Sequence, residues 1–143
     1  MPITDEHVGR RYPAAPPYVV SRAKIAEFAE AVRDDNPAYA GDDPIAPPTF
    51  AAVIAAQAWG ALFDDAELGL ALNRTMHTDQ SFTFHRPLRP GDAVVAELSI
   101  EKVRNRGALE MITILVDLTV DGEPVCAARS TLMHTRPEGD HDA

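Results

Sequence analysis

The sequence predicts a single α+β domain, and three observations carry that prediction. Apolar residues recur at helical spacing only in the first half of the chain. The second half changes to a two-residue alternation. The joints between the alternating runs carry proline, glycine, asparagine and aspartate. At 143 residues the chain has the length of one domain, able to bury a core without disulfides or metals. Helices gathered ahead of the strands, with no internal repeat, give the α+β plan.

The elements follow in order. Arg10 to Pro17 is a proline- and alanine-rich entry segment leading into Tyr18-Val19-Val20, a short β-prone run. Ser21 is a favourable N-cap, and Ile25, Phe28, Ala29 and Val32 fall at i, i+3, i+4 and i+7, so an amphipathic helix is expected from Arg22 to Arg33. It must stop near Asn36, because Pro37 disfavours helical geometry in the residue before it and has no N–H to donate. Asp34 to Tyr39 is then a tight post-helix loop, and Gly41-Asp42-Asp43-Pro44 a polar connection.

Pro47-Pro48-Thr49-Phe50 opens a second helix that is apolar nearly all round. Ala51, Ala52, Ala55, Ala56, Ala58 and Ala61 permit close approach of a sheet, while Val53, Ile54, Trp59 and Leu62 supply bulk. Such a helix is expected inside a wrapping sheet. Strands are expected at Ser81 to Phe84, at Val94 to Ile100, at Ile112 to Val120 and at Pro124 to His134. Turns are marked by Pro87 to Asp92, by Asn105-Arg106-Gly107 and by Asp121 to Pro124, which implies an antiparallel meander. The domain is expected to span 1–136, with a frayed, charged tail over 137–143.

Composition excludes several roles. Cys126 is the only cysteine, so no intrachain disulfide or cysteine zinc cluster forms, and a reducing, cytoplasmic setting is expected. The N-terminus lacks the basic start and apolar core of a secretory signal, and Phe50 to Phe63 is far shorter than the ~20 residues that span a bilayer. A formal net charge of -9 opposes binding to nucleic acid or an anionic membrane.

Two stretches narrow the prediction further. Asp34-Asp35-Asn36-Pro37-Ala38-Tyr39, placed after an amphipathic helix, resembles the Gly-Asp-x-Asn-Pro-Leu-His motif of the MaoC-like and R-specific enoyl-CoA hydratase family. Asp34, Asn36 and Pro37 match; Arg33, Ala38 and Tyr39 do not. Phe82 to Asp92 is similar to the family's strand and turn ending in Pro-x-x-x-Gly-Asp. Pro47-Pro48-Thr49-Phe50 looks like the start of the central helix in the non-catalytic half of double hot-dog hydratases, the half that accommodates the acyl chain. The combination looks most like the non-catalytic HadA/HadC-type subunit, a FAS1-like dehydratase domain, of actinobacterial (3R)-hydroxyacyl-ACP dehydratases. The resemblance covers almost the whole chain. It implies a hot-dog fold, an antiparallel sheet wrapped around a long central helix and pairing into a dimer. It also implies an acyl-ACP or acyl-CoA substrate, no cofactor, and as partner a MaoC-like catalytic subunit or a second copy.

Dehydration of a 3-hydroxyacyl thioester requires a base for the α-proton and an acid for the leaving hydroxyl. The family uses aspartate and histidine for these roles. In this chain the matching pair is Asp34 and Tyr39, with Asn36 between them, and a phenol ionising near ~10 is a poor base at neutral pH. The family also stabilises the thioester oxygen with a backbone N–H at the start of the central helix; Pro48 in that place has none. A missing base and a missing oxyanion donor, each worth about 2–4 kcal/mol or more of barrier, make dehydration by the chain alone unexpected. Pro48, Thr49, Phe50 and Trp59 are the candidate acyl-binding residues, and ordinary core packing is the competing reading of the last two.

Read without the resemblance, Asp34 and Asn36 are equally suited to capping the helix end and the turn. His77, His85 and His134 lie on or beside expected strands without metal-site spacing, and a structural role is expected for each. Arg86, Arg89, Arg104 and Arg106 cluster near turns, to meet an acidic carrier protein or a pantetheine phosphate, or simply to solvate those turns. The leading expectation is the acyl-chain-binding subunit of a heteromeric (3R)-hydroxyacyl thioester dehydratase. The alternatives are a weakly active homodimeric enoyl thioester hydratase and a non-catalytic acyl-thioester-binding protein.

Overall fold

The computed structural model describes residues 2–138, so the expected tail lies almost wholly outside the described residues. Strand β1 (Tyr18–Val19) leads into helix α1 (Arg22–Ala31), with the Ser21 hydroxyl accepting the Lys24 N–H at 3.1 Å. The central helix is built of α2 (Ala51–Ala55) and α3 (Trp59–Phe63), with 3-10 turns at Pro48–Phe50 and Ala56–Ala58 that continue the same right-handed winding. Four long strands follow: β2 (Thr75–Phe84), β3 (Ala93–Arg106), β4 (Leu109–Val120) and β5 (Glu123–Thr135).

The five strands form one antiparallel sheet in the order β1-β3-β4-β5-β2. The expected meander therefore holds for β3, β4 and β5 but not for β2, which pairs with β5 at the far edge. Pro87 and Pro90 explain the departure, because two residues without N–H groups cannot carry a ladder from β2 straight back into β3. The segment from His85 to Asp92 instead crosses the end of the sheet. It is held there by Ala46 N–H to Leu88 O at 2.8 Å and by reciprocal bonds between Val20 and the Gly91-Asp92 peptide units at 2.8 and 2.9 Å. Gly91 has φ +91°, a conformation that glycine adopts without penalty.

Inward positions alternate as the sequence requires. Leu98 and Ile100 on β3, Ile112, Ile114, Val116 and Leu118 on β4, and Ala128 and Leu132 on β5 are buried against Ile54, Ala58 and Leu62 of the central helix. Each fully buried leucine or isoleucine contributes about 1.5–3 kcal/mol. The helix is covered on one face only. Ala56, Gln57 and Gly60 face away from the core and are exposed, so within one chain the sheet wraps less of the helix than its all-round apolar composition led us to expect.

One irregularity resets the alternation. A bulge between Ile100 and Lys102 lets Ile100 and Val103 both point inward, and so turns Lys102, Arg104 and Arg106 to the outer face. On the inner side of this same end of β4, Glu110 is buried and gathers three donors: Ile3 N–H at 2.7 Å, the Arg136 Nε at 2.8 Å and the His134 Nδ1 at 2.8 Å. His134 Nε2 accepts the Ala71 N–H at 3.1 Å, which leaves the ring proton on Nδ1. This cluster ties the N-terminal segment and the end of β5 into the core.

Candidate active site

The loop after α1 is assembled by local hydrogen bonds. The Arg33 N–H donates to Glu30 O at 3.0 Å and the Asp34 N–H to Ala29 O at 2.9 Å, the paired bonds of a helix end terminated by a left-handed residue. That residue is Arg33, with φ +55°. It occupies the position at which the resembled motif has glycine, so the missing glycine is a backbone departure as well as a sequence one. The helix ends at Ala31, two positions before the expected Arg33, because the chain has already turned left-handed there.

Asp34 Oδ1 accepts the Asn36 N–H at 3.1 Å, and Asn36 Oδ1 accepts the Ala38 N–H at 3.0 Å. Both side chains are exposed and both cap the turn they belong to, the structural role their residue types favour. Pro37–Tyr39 forms a 3-10 turn that carries the half-buried Tyr39 ring against the core. Asp34, Asn36 and Tyr39 share one open cavity of about 500 Å³, whose walls include Arg22, Ala26 and Gly41.

The acyl-binding candidates are more dispersed. Pro48 lines a second cavity of about 360 Å³ with Ile45, Ala46, Phe84, His85 and Pro87. The Ile45 N–H donates to Ala38 O at 2.9 Å, which ties the wall of this second cavity to the Tyr39 turn by one hydrogen bond. The Phe50 N–H is engaged by Pro47 O at 2.9 Å, and neither Pro47 nor Pro48 has an N–H, so Thr49 supplies the one backbone donor of the first turn that remains. Thr49 itself is exposed. Phe50 lines neither cavity: it is completely buried, edge-on to Tyr18 at 6.0 Å and to Phe28 at 5.3 Å between ring centroids. It braces α1 and β1 against the central helix. Trp59 is half-buried and packs edge-on to His77 at 5.1 Å, with its Nε1 enclosed and given no hydrogen-bond partner among the described residues.

Sequence reasoning missed the polar strip beside Trp59. Gln80 Oε1 accepts from the buried Ser130 hydroxyl and lies 3.0 Å from His77 Nε2. The signal was present in the alternation, since Gln80 and Ser130 both fall on the inward phase of their strands. Glu110 was missed in the same way, a carboxylate in the inward register of an otherwise apolar strand.

Charge is organised around two carboxylates. Burial pushes the Asp92 carboxyl up, but hydrogen bonds from Arg86 at 2.8 and 3.2 Å and from the Arg89 N–H at 2.8 Å outweigh it and hold the group below the usual carboxylate range. Arg86 is thereby committed to its own turn. Asp65 behaves likewise: burial raises it, while the Tyr12 hydroxyl at 2.6 Å and Arg10 at 2.9 Å pull it below its ordinary value. Burial pushes the Cys126 thiol up to about 11, which leaves it protonated and inert. Among the described residues no cluster of histidine, cysteine, aspartate and glutamate is arranged to hold a metal ion, and no helix is long and apolar enough to cross a membrane.

The match to known proteins agrees with this architecture. The family model for the FAS1-like, dehydratase domain region matches residues 6–128. The chain belongs to the FAS1-like dehydratase domain family. A UPF0336 protein of Cutibacterium acnes is 56% identical over 140 residues, covering 97% of this chain and 99% of the relative. Among solved structures, a chain of the C-terminally truncated HadBC (3R-hydroxyacyl-ACP dehydratase) complex from Mycobacterium tuberculosis superposes with a TM-score of 0.76 at 32% identity, covering 91% of this chain and 98% of that one. A MaoC-like dehydratase superposes with a TM-score of 0.80 at 26% identity, covering 90% of this chain but 42% of the longer protein. As in these FAS1-like and MaoC-like dehydratases, the curled five-stranded sheet around a central helix is the hot-dog fold.

Proposed function

We propose that this chain is the acyl-chain-binding, stabilising subunit of a heteromeric (3R)-hydroxyacyl thioester dehydratase, working with a MaoC-like subunit that carries the aspartate and histidine. The observation that carries this reading is Tyr39. It stands where the motif has its general base, on a turn whose two other motif side chains, Asp34 and Asn36, are engaged in capping bonds. Pro48 supports the same reading, because a proline at the start of the central helix offers no N–H to a developing oxyanion. Pro48, Thr49 and Trp59 frame the acyl channel in this proposal, and the core-bound Phe50 supports them from behind.

The edge of the sheet supports a protein partner. The whole of β2 is bonded to β5 on one side and ends the sheet on the other, and such a strand is a template for pairing. Ala56, Gln57 and Gly60 of the central helix form a second surface that the sheet leaves uncovered. A hot-dog partner added at β2 would complete the edge ladder. HadBC, a complex of this kind of chain, is named as a (3R)-hydroxyacyl-ACP dehydratase, which supports the thioester class.

The test is hydration of a long-chain enoyl thioester by the purified chain alone and by the chain co-expressed with a MaoC-like protein bearing an intact Gly-Asp-x-Asn-Pro-x-His motif. Activity is expected only from the pair. Full turnover by the chain alone refutes the subunit role and favours the homodimeric hydratase.

A further inference from the structure

The outer face of the sheet carries its charge in two separate sets. At one end Lys102, Arg104 and Arg106 of β3 stand beside Thr113, Met111 and Leu109 of β4. The row of Arg104 and Met111 runs on through Met133 to Met76 on β2, which is 60% exposed. The three cations, Leu109, Met111 and Met133 line an open groove of about 820 Å³. At the other end Glu97 of β3 is the direct cross-strand partner of Asp117 of β4. Like charges set opposite each other in this way destabilise a sheet. Arg11 reaches Glu97 at 3.2 Å, while Asp117 has no ion-pair partner among the described residues.

Neither set is answered within the chain. Lys102, Arg104 and Arg106 are exposed, and none has an ion-pair partner among the described residues, in a chain whose formal net charge is -9. The bulge between Ile100 and Lys102 brings them to this face, because unbroken alternation of β3 would point them into the core. From Met111, beside Arg104, to Asp117 is about 20 Å along β4, more than two screening lengths at physiological salt. The two sets therefore cannot neutralise each other. Between them Arg129 and Glu101 pair at 3.0 Å, and Leu115 is half-buried.

We infer that this face binds the same face of a second copy of the chain, back to back, with the cations of each copy set over the carboxylates of the other. Such a contact is self-complementary about a two-fold axis. An axis lying between the two sheets and running across the strands, between Thr113 and Leu115, reverses strand direction and keeps strand order. It sets Arg104 over Glu97 of the second copy and Met111 over Asp117 of the second copy, in both directions at once. Lys102 and Arg106 fall one row to either side of that contact. Stacked sheets lie about 10 Å apart, a gap that two extended side chains bridge, and the thioethers of Met111 and Met133 adapt to what they meet. Rows from Arg106 to Val95 and strands from β3 to β2 span about 34 by 19 Å, so a pair of faces buries about 1,300 Å², the size of a specific interface. The inference does not rest on the subunit reading above, because the outer face leaves the free edge of β2 available to a hot-dog partner.

Sedimentation velocity on the full chain over a range of concentrations tests this. The wild type is expected to form a species of twice the mass of either charge-reversed variant, K102E/R104E/R106E or E97K/D117K. Each reversal should weaken self-association by about a hundredfold, because a symmetric contact is lost twice. An equimolar mixture of the two variants is expected to regain the doubled mass, since each then offers the charge that the other lacks, and that recovery also shows that both fold. The milder K102Q/R104Q/R106Q guards against a folding defect and is expected to associate about tenfold more weakly. Unchanged association in the reversed variants, or in the milder one where a reversed variant misfolds, overturns the proposal. So does a mixture that stays at the halved mass while both variants keep the circular dichroism of the wild type. None of these failures touches the subunit reading, whereas a doubled mass in an assembly with a MaoC-like partner that shows no turnover overturns the subunit reading alone.

Discussion

Replacing Glu110 by alanine is the most demanding test of how this fold is held closed. The carboxylate is 1% exposed and accepts from three donors that arrive from two distant parts of the chain: Ile3 near the N-terminus, and His134 and Arg136 at the end of β5. Removing it deprives the Arg136 guanidinium, 5% exposed, of its carboxylate at 2.8 Å, and leaves the Ile3 N–H and the His134 Nδ1–H facing a cavity. Loss of one partner of a buried ion pair costs about 3–5 kcal/mol, a large fraction of the ~5–15 kcal/mol that stabilises a typical domain. At a urea m-value of about 2 kcal/mol/M, the midpoint is expected to fall by about 1.5–2.5 M. Glu110→Gln is expected to fall between wild type and alanine, because its amide NH2 must face a donor. The assay is urea unfolding followed by Trp59 fluorescence and by circular dichroism. A midpoint shift below about 0.5 M for Glu110→Ala would refute the reasoning, and would mean that the cluster is wet and exchangeable rather than a closed pin.

Three further outcomes are expected. Arg33→Gly restores the residue type that the left-handed helix end favours; relief of the ~1–2 kcal/mol conformational penalty, less the larger unfolded-state entropy of glycine, should stabilise the chain by about 0.5–1 kcal/mol in the same urea titration. Asp65 and Asp92 are both held below the ordinary carboxylate range, so each contributes stability that is complete above the unfolded value near ~4 and is lost as pH falls through its folded value. Asp65→Asn with Asp92→Asn should flatten the acid limb of a midpoint-versus-pH curve below about pH 4, and an unaltered limb would contradict the assignment. In enoyl hydration by the chain alone, Tyr39→His should leave activity at the detection limit, because Pro48 still offers no oxyanion donor; adding Pro48→Gly should lift the rate to about a hundredfold above that limit.

Much of this molecule is legible in its sequence, because period and punctuation are local properties. Ser21 and the spacing of Ile25, Phe28 and Ala29 place α1, and the alternation from Ile112 to Val120 places β4 with its buried face. Tyr39 and Pro48 are chemical facts of the chain itself, and the proposed loss of autonomous catalysis rests on them. Tertiary structure decided what depends on distant partners. The pairing of β2 with β5 follows from closure of a curled sheet around a helix, and no local pattern in Thr75 to Phe84 specifies its neighbour. Phe50 became a core brace because Tyr18 and Phe28 converge on it from other elements. The bulge at Ile100 and Lys102 resets a two-residue period, so Lys102, Arg104 and Arg106 could be assigned to the outer face only once the register with β4 was known. Side-chain phase within a strand is set by sequence, whereas the phase between strands is set by the partner ladder, and the outward turn of Lys102, Arg104 and Arg106 lies at the point where the two disagree.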